Sequence, residues 1–395
     1  MKIQTLLLLL FFEILHLSLY SQDAADLSLE AVPATELEAE EGAEKPGFTL
    51  SGSADVYYRA NLTANNDPAH SAPAPNTAFA YAPGFGMGMF NLIGAWEGQR
   101  GGVVGDLVFG PRGVDAVFAS GAPNNVVNQL YVYWKATDQL TLTMGDFNTF
   151  LGYEVISPTG NFNYSTSYMF SWGPFSHTGI KADFAVSDDL SFMLGVFNPT
   201  DFTEFNPVGT YSLGGQIGYK GVYLNLLYGD QDGRLTDEDT EEGLASAGAL
   251  FQVDLTAGWD LTEAFYLGLN TTYNTTAMGE HIEQGEIVAD SGDGNSFYGA
   301  AAYLQYRASE TFALGLRGEY FAEANGGYGI IGSYDADANG SIMALTLSGN
   351  ITIGNLTLIP ELRLDTASED DVFVNTALEP VASLASFMLA AVYAF

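Results

Sequence analysis

Cysteine is absent from the 395 residues, and basic residues are scarce: 12 Lys or Arg stand against 48 Asp or Glu, for a formal net charge of −36. Without cysteine there can be no disulfide, no thiolate metal site, no thiol nucleophile and no lipidated N-terminal Cys. The absence suits an oxidising compartment without identifying one. So few cations exclude a nucleic-acid partner, because phosphate binding needs clustered Lys and Arg. Charge of either sign is low, 15% of residues against roughly 25% in soluble domains. After the first twenty-one residues no stretch is apolar for the length of a spanning helix. No Gly-rich loop follows a strand and opens a helix, so no nucleotide or other cofactor is expected.

Apolar and aromatic residues take up the space that charge leaves. The chain is 47% hydrophobic, with 26 Phe, 22 Tyr and 45 Gly. Its start, Lys2 followed by "LLLLLFFEILHLSLY" and then Ser21, reads as a signal peptide over residues 1–21, although Glu13 is unusual inside such a run. A membrane anchor is the other reading, but the run falls short of the ~20 apolar residues a span needs and carries Glu13 and His16. Residues 22–47 hold eight acids, one Lys and no aromatic, the composition of a disordered acidic leader or linker.

From Phe48 to Phe395 the apolar residues recur every second position, which is the signal of strands. In "NLTLIPELRLD", Leu356, Leu358, Pro360, Leu362 and Leu364 share one face, while Thr357, Ile359, Glu361, Arg363 and Asp365 share the other. Sixteen such runs can be marked, from 48–62 to 383–395. Short connections (Ser187-Asp188-Asp189, Lys220-Gly221, Ser309) alternate strictly with long ones of roughly 12 to 27 residues. That pattern predicts antiparallel hairpins side by side, with tight turns at one rim and loops at the other. A soluble β-sandwich also has period two, but would put the apolar face inward. The even strand count, the loop asymmetry and aromatics near strand ends (Trp96, Trp134, Trp259, Tyr219, Tyr228, Tyr273, Tyr306) favour a transmembrane up-and-down barrel with short periplasmic turns and long extracellular loops. Closure satisfies the edge groups that lipid cannot. The chain stops inside its last strand, "SFMLAAVYAF", with Phe387, Leu389, Tyr393 and Phe395 on one face. Such an ending resembles the C-terminal signal read by the outer-membrane barrel assembly machinery, with Tyr393 and Phe395 as its residues.

The segment Gly145–Asn198 carries Gly145-Asp146-Phe147, Gly152-Tyr153-Glu154, Asn163-Tyr164-Ser165, Pro174-Phe175 and His177-Thr178-Gly179. With this spacing it resembles the family described as putative β-barrel porin-2, OmpL-like. The resemblance implies an outer-membrane porin with no defined substrate; the acidic leader lies outside its pattern.

The longest connection, 149–175, follows the fifth strand, the place where sixteen-stranded general porins fold a loop into the pore. It holds eight aromatics and one charge, Glu154. With Tyr153 and Glu154 as constriction candidates, those rings would either stack against uncharged, sugar-like solutes or pack the loop onto itself and the wall. Asp55, Arg59, Lys135, Asp146, Lys181, Asp183, Arg307, Arg317, Glu319, Glu361, Arg363 and Asp365 are expected to line the lumen, as opposite-sign rows that orient solutes or as structural ion pairs. The acid excess lies in the last four long loops, with nineteen Asp or Glu and one Arg. There "DADANG" begins like a Ca²⁺ loop (Asp335, Asp337, Asn339) but has Thr346 where the closing acid belongs, so a solvated acidic surface competes with a metal site. Divalent ions bridging to lipopolysaccharide would be a minor role for it. Ser176-His177-Thr178 supplies no assignable third catalytic member, and no enzyme activity is expected. The chain therefore reads as an outer-membrane barrel of a Gram-negative bacterium, embedded in lipid and passing small hydrophilic solutes. Its rival is a non-conducting adhesin or scaffold that works through the acidic loops, and a barrel-embedded lipid hydrolase stands third. Trimers are common among sixteen-stranded porins, though no subunit interface is marked in the sequence.

Overall fold

The computed structural model describes residues 47–395 apart from 71 and 237. The expected signal peptide (1–21) and all of the acidic leader (22–47) but its last residue lie outside the described residues. Sixteen strands close into one antiparallel barrel in sequence order. They are β1 Gly47–Asn61, β2 Gly84–Glu97, β3 Gly101–Phe109, β4 Val127–Lys135, β5 Leu140–Asn148, β6 Ser176–Ala185, β7 Leu190–Phe197 and β8 Ser212–Tyr219. The second half comprises β9 Val222–Gly229, β10 Leu250–Asp260, β11 Phe265–Thr276, β12 Asn295–Ser309, β13 Phe312–Ala324, β14 Gly340–Ile353, β15 Leu356–Ala367 and β16 Ser383–Ala394. β16 pairs with β1 from Ser53↔Ala394 to Asn61↔Ser386, which closes the ring.

Period two dictates the rest. In β4, Leu130, Val132 and Trp134 are 55–56% exposed on the outer face, while Gln129, Tyr131 and Tyr133 turn inward. Lipid covers that outer band, so the apolar surface needs no protein partner. Trp96, Trp134, Tyr219, Tyr306 and Tyr393 stand exposed at the short-turn ends, and Tyr228 and Tyr273 near the long-loop ends. Trp259 is half-buried. Among the described residues no helix is long and apolar enough to cross a membrane. β2 and β3, glycine-rich on both faces, still pair with a neighbour on each side, with register shifts at Ala54/Val56 and Asp106/Leu107, because a closed ladder is set by backbone bonds.

The eight long connections are L1 (62–83), L2 (110–126), L3 (149–175), L4 (198–211), L5 (230–249), L6 (277–294), L7 (325–339) and L8 (368–382). Several carry structure that has no period-two signature. L2 contains helix α1, Pro111–Ala116, opened by a proline that the first helical turn tolerates. L3 contains helix α2, Tyr168–Trp172, whose N-cap Ser167 accepts a hydrogen bond from the Phe170 N–H. L5 and L6 share a small sheet of 245–246, 280–283 and 286–289.

Candidate pore and its constriction loop

L3 folds into the barrel, and the inward charges of the wall hold it there. Glu319 on β13 accepts from the backbone N–H groups of Tyr168 (2.9 Å) and Met169 (2.8 Å) at the start of α2. Glu361 on β15 accepts from the N–H groups of Tyr164 (2.9 Å) and Ser165 (3.2 Å), and from the Ser348 hydroxyl. Asp254 on β10 accepts from the Gly152 N–H at 2.9 Å, flanked by the amides of Asn225 and Asn270. Asp55 shares the inward face of β1 with Ser53, Tyr57 and Arg59 and accepts from the Tyr164 hydroxyl at 2.5 Å; opposite it the β1–β2 ladder shifts register, with the extra residue on β2 between Met87 and Phe90. Gly88 on the facing strand leaves the space that the Asp55 carboxylate fills; any Cβ there would collide with it. A hydrogen bond to a charged group contributes about 1.5–3 kcal/mol, so these carboxylates together pin the loop against thermal opening.

One ion pair joins loop to wall. Arg317 Nη1 lies 2.5 Å from Glu154 Oε1, with the two side chains 0% and 3% exposed. The same guanidinium donates to the Ser165 carbonyl (2.6 Å) and the Thr346 hydroxyl (3.1 Å), and Glu154 also accepts from the Ser167 N–H (2.7 Å). Arg363 chelates Asp365 at 2.8–3.1 Å and donates to the Thr166 carbonyl. L1 packs on the other side of L3: Thr166 donates to the Ala78 carbonyl, Ala78 N–H to Ser171, and the Trp172 indole to the Asn76 carbonyl. Arg59 donates to Asn61 and to the Tyr81 carbonyl of L1. The void left among Arg59, Thr77, Glu361 and Arg363 is about 10 Å³, room for a single water.

Asp55, Arg59, Glu154, Arg317, Glu319, Glu361, Arg363 and Asp365 are thus brought together, but as the sealed seam between loop and wall; each is buried. Tyr153 belongs to the same seam, stacked on Tyr303 (4.1 Å between centroids) with its hydroxyl donating to that of Tyr266. Lys181 and Asp183 on β6 remain partly open, 24% and 39% exposed, and pair at 3.1 Å. Lys135 pairs with Glu97 at 2.7 Å at the short-turn rim. Arg307 stands exposed at that rim beside a cavity of about 270 Å³ with Asp260, Tyr266, Gln305 and Asn350. Asp146 does not line the lumen. In the ladder it sits opposite Leu130 and Thr178, on the outward face with Met144, where L4 covers it: the Thr178 hydroxyl reaches both Asp146 and the Thr203 carbonyl.

The wall opposite the seam keeps partly exposed inward groups: Tyr131 and Tyr133 on β4, Thr141 on β5, Gln216 on β8 and Tyr223 on β9. Several lumen rings lie flat because a glycine beneath them has no side chain. A Cβ on Gly102 would meet the Tyr133 ring, one on Gly218 the Tyr223 ring at 2.8 Å, and one on Gly268 the Tyr153 ring. Gly218→Ala is therefore expected to tip Tyr223 into the remaining space. Single-channel conductance should fall while melting of the folded barrel barely changes.

Asp335 Oδ1 accepts from the N–H groups of Asp337 and Asn339 (both 2.9 Å), so "DADANG" folds as an Asx-type turn before β14. Among the described residues no three His, Asp or Glu converge as metal ligands. His177 is sandwiched between Phe150 and Phe197 (4.9 and 5.0 Å) with Nε2 on the Thr149 hydroxyl at 3.0 Å. At the other rim Tyr393 and Phe395 face outward, each 49% exposed. Phe395 exchanges both backbone hydrogen bonds with Gly52 (2.9 Å each).

A closed sixteen-strand barrel with a loop pinned inside is the architecture of outer-membrane channels. The sequence profile of the family described as putative beta-barrel porin-2, OmpL-like, matches residues 47–395. The chain belongs to this family. It is a porin-like barrel of the bacterial outer membrane. By fold it is similar to the outer membrane channel DcaP of Acinetobacter baumannii (10% identity, TM-score 0.54, 91% of this chain and 100% of that one). It is also similar to OmpT of Vibrio cholerae in its trimer form (9% identity, TM-score 0.51, 89% and 100%). No curated protein matches the sequence.

Proposed function

We propose that this porin-family barrel carries small hydrophilic solutes across the outer membrane by passive diffusion, through a narrow, weakly cation-preferring path beside L3. The observation that carries the reading is the asymmetric filling of the lumen. L3 is hydrogen-bonded to β1, β10, β13, β14 and β15, and its first residues Phe150 and Leu151 pack on Phe147, Phe197 and Leu227, while Tyr133, Thr141, Lys181 and Tyr223, nearer the short-turn ends of β4–β9, keep solvent exposure. A sixteen-stranded ring is wide enough to leave water around one folded loop. The partly open path is lined mainly by hydroxyls, amides and phenol rings, with Lys181 and Asp183 as its charged pair. That lining supports uncharged polar solutes over strongly charged ones. His177, the histidine that meets the barrel wall, is sealed between two phenyl rings with Thr149 as its hydroxyl partner, which supports a non-enzymatic reading. The barrel acts as a non-enzymatic conduit and assembles as a homotrimer, as the similar OmpT structure does. Tyr393 and Phe395 serve recognition by the assembly machinery.

Planar-bilayer recording of the refolded protein, with reversal potential in a salt gradient, tests this. Small stable steps with modest cation selectivity are expected. Asp183→Asn should reduce that selectivity, because it leaves Lys181 as the pair's only charge. A correctly folded, heat-modifiable barrel that never conducts would refute diffusion and favour an adhesin or scaffold working through the acidic loops.

A further inference from the structure

At the long-loop rim, L1, L2, L3 and L4 meet around a cavity of about 350 Å³ whose lining includes Asn76, Asp115, Phe118, Trp172, Phe175 and Asp201. No basic residue lines it. Asp201 Oδ1 is held by the N–H groups of Phe175 (2.7 Å) and Ser176 (2.9 Å), which fixes L4 over the end of L3. Asp115 stands on α1, one turn beyond Arg112. That guanidinium is committed elsewhere: it donates to the carbonyls of Ile156 and Tyr164 and lies over the Phe79 and Tyr164 rings at 4.6 and 4.7 Å. Among the described residues neither Asp115 nor Asp201 has an ion-pair partner.

The rest of the lining is aromatic. Trp172 spends its one N–H on the Asn76 carbonyl at 2.8 Å, leaving only its ring surface to offer a ligand. Phe118 is 62% exposed, its ring edge-on to Phe175 at 6.1 Å. Two carboxylates that form no direct ion pair, beside aromatic rings, match a cation that also carries apolar substituents. A bare divalent ion is served worse. It needs six or more oxygens, and among the described residues no third acid or imidazole joins these two to make a metal site. The volume lies at the small end of ligand pockets.

We propose that this cavity binds small organic cations, those bearing an alkylated ammonium group, at the extracellular mouth of the barrel. The site stands whether or not the barrel conducts. Burial raises the Asp115 carboxyl above its ordinary range and holds Asp201 at about 6. Asp201 faces Asp146 on β5, and Asp115 faces Arg112 on its own helix. A bound cation favours the ionised forms, so binding weakens as pH falls through 6.

The test uses the full-length folded protein in detergent, with choline chloride as probe and its uncharged carbon isostere, 3,3-dimethylbutan-1-ol, as control. Binding is read by saturation-transfer NMR on the methyl protons. Choline should saturate and the isostere should not. Asp115→Asn should weaken choline about tenfold, equivalent to about 1.4 kcal/mol, and Trp172→Leu should weaken it severalfold. Heat-modifiable mobility checks folding; if Asp115→Asn misfolds, Phe118→Leu at the exposed rim takes its place with the same expected direction. Equal binding of choline and isostere would overturn the proposal. So would full retention in these variants, or CaCl₂ displacing choline well below the level at which NaCl does.

Discussion

Replacing Arg317 by alanine is expected to release L3 from the wall and raise unit conductance severalfold, with noisy open states. The argument rests on what is left behind. Arg317 and Glu154 are 0% and 3% exposed, so removing the cation strands a buried carboxylate. Breaking such a pair from one side costs about 3–5 kcal/mol, more than any one of the neutral contacts between loop and wall supplies. The substitution also deletes the donors to the Ser165 carbonyl and the Thr346 hydroxyl. Arg317→Lys keeps the charge without the planar fork and should give an intermediate effect. The double variant Arg317→Met with Glu154→Gln removes both charges, and should restore a quieter channel than Arg317→Ala does. Hydrogen exchange at amides of residues 152–172 reports the same event independently of conductance. If exchange and conductance both stay unchanged, the carboxylates of Glu319, Glu361 and Asp254 hold the loop alone, and the ion pair is incidental.

The strands were legible because one physical demand repeats along them. Each residue that meets lipid must be apolar and its neighbour need not be, so "NLTLIPELRLD" declares its two faces and the barrel follows. The inward fold of L3 was legible only by analogy of loop position, since its partners are remote in sequence: Tyr164 with Asp55, Gly152 with Asp254, Tyr168 with Glu319. Read along a strand, Arg317/Glu319 and Glu361/Arg363/Asp365 look like ion-pair rows. In three dimensions Glu319 and Glu361 satisfy backbone N–H groups of the loop, and of these two rows Arg363–Asp365 alone pairs along its own strand. A usable signal was present in the mismatch between wall acids and nearby cations, which left carboxylates in search of other donors. Asp146 shows the opposite failure. Its charge argued for the lumen, whereas its parity with Leu142 and Met144 argued for the outer face, and parity prevailed because L4 shields it. "DADANG" was open to a metal reading because Asx turns and Ca²⁺ loops share the same short acidic vocabulary.

Deleting Phe395 should reduce the amount of folded barrel in the outer membrane of expressing cells to a small fraction, while costing little in a barrel refolded in vitro. Magnitudes separate the two effects. Phe395 gives the barrel two backbone hydrogen bonds with Gly52 and a ring stacked 6.2 Å from Phe90. At about 0.5–1.5 kcal/mol for each hydrogen bond and a similar amount for the ring pair, its loss removes a few kcal/mol from a structure closed by fifteen other strands' worth of ladder. A defect of that size, set against the ladder of a whole closed barrel, lowers the folded amount far less than failure of an assembly step does. Phe395→Ala divides the question further, because it keeps both backbone bonds and loses only the ring. Should the ring be read during assembly, Phe395→Ala will match the deletion in cells yet be milder than it in vitro. If abundance in cells instead tracks the in-vitro loss for both variants, the terminal aromatic is a plain structural contact, and closure of β16 on β1 proceeds without it.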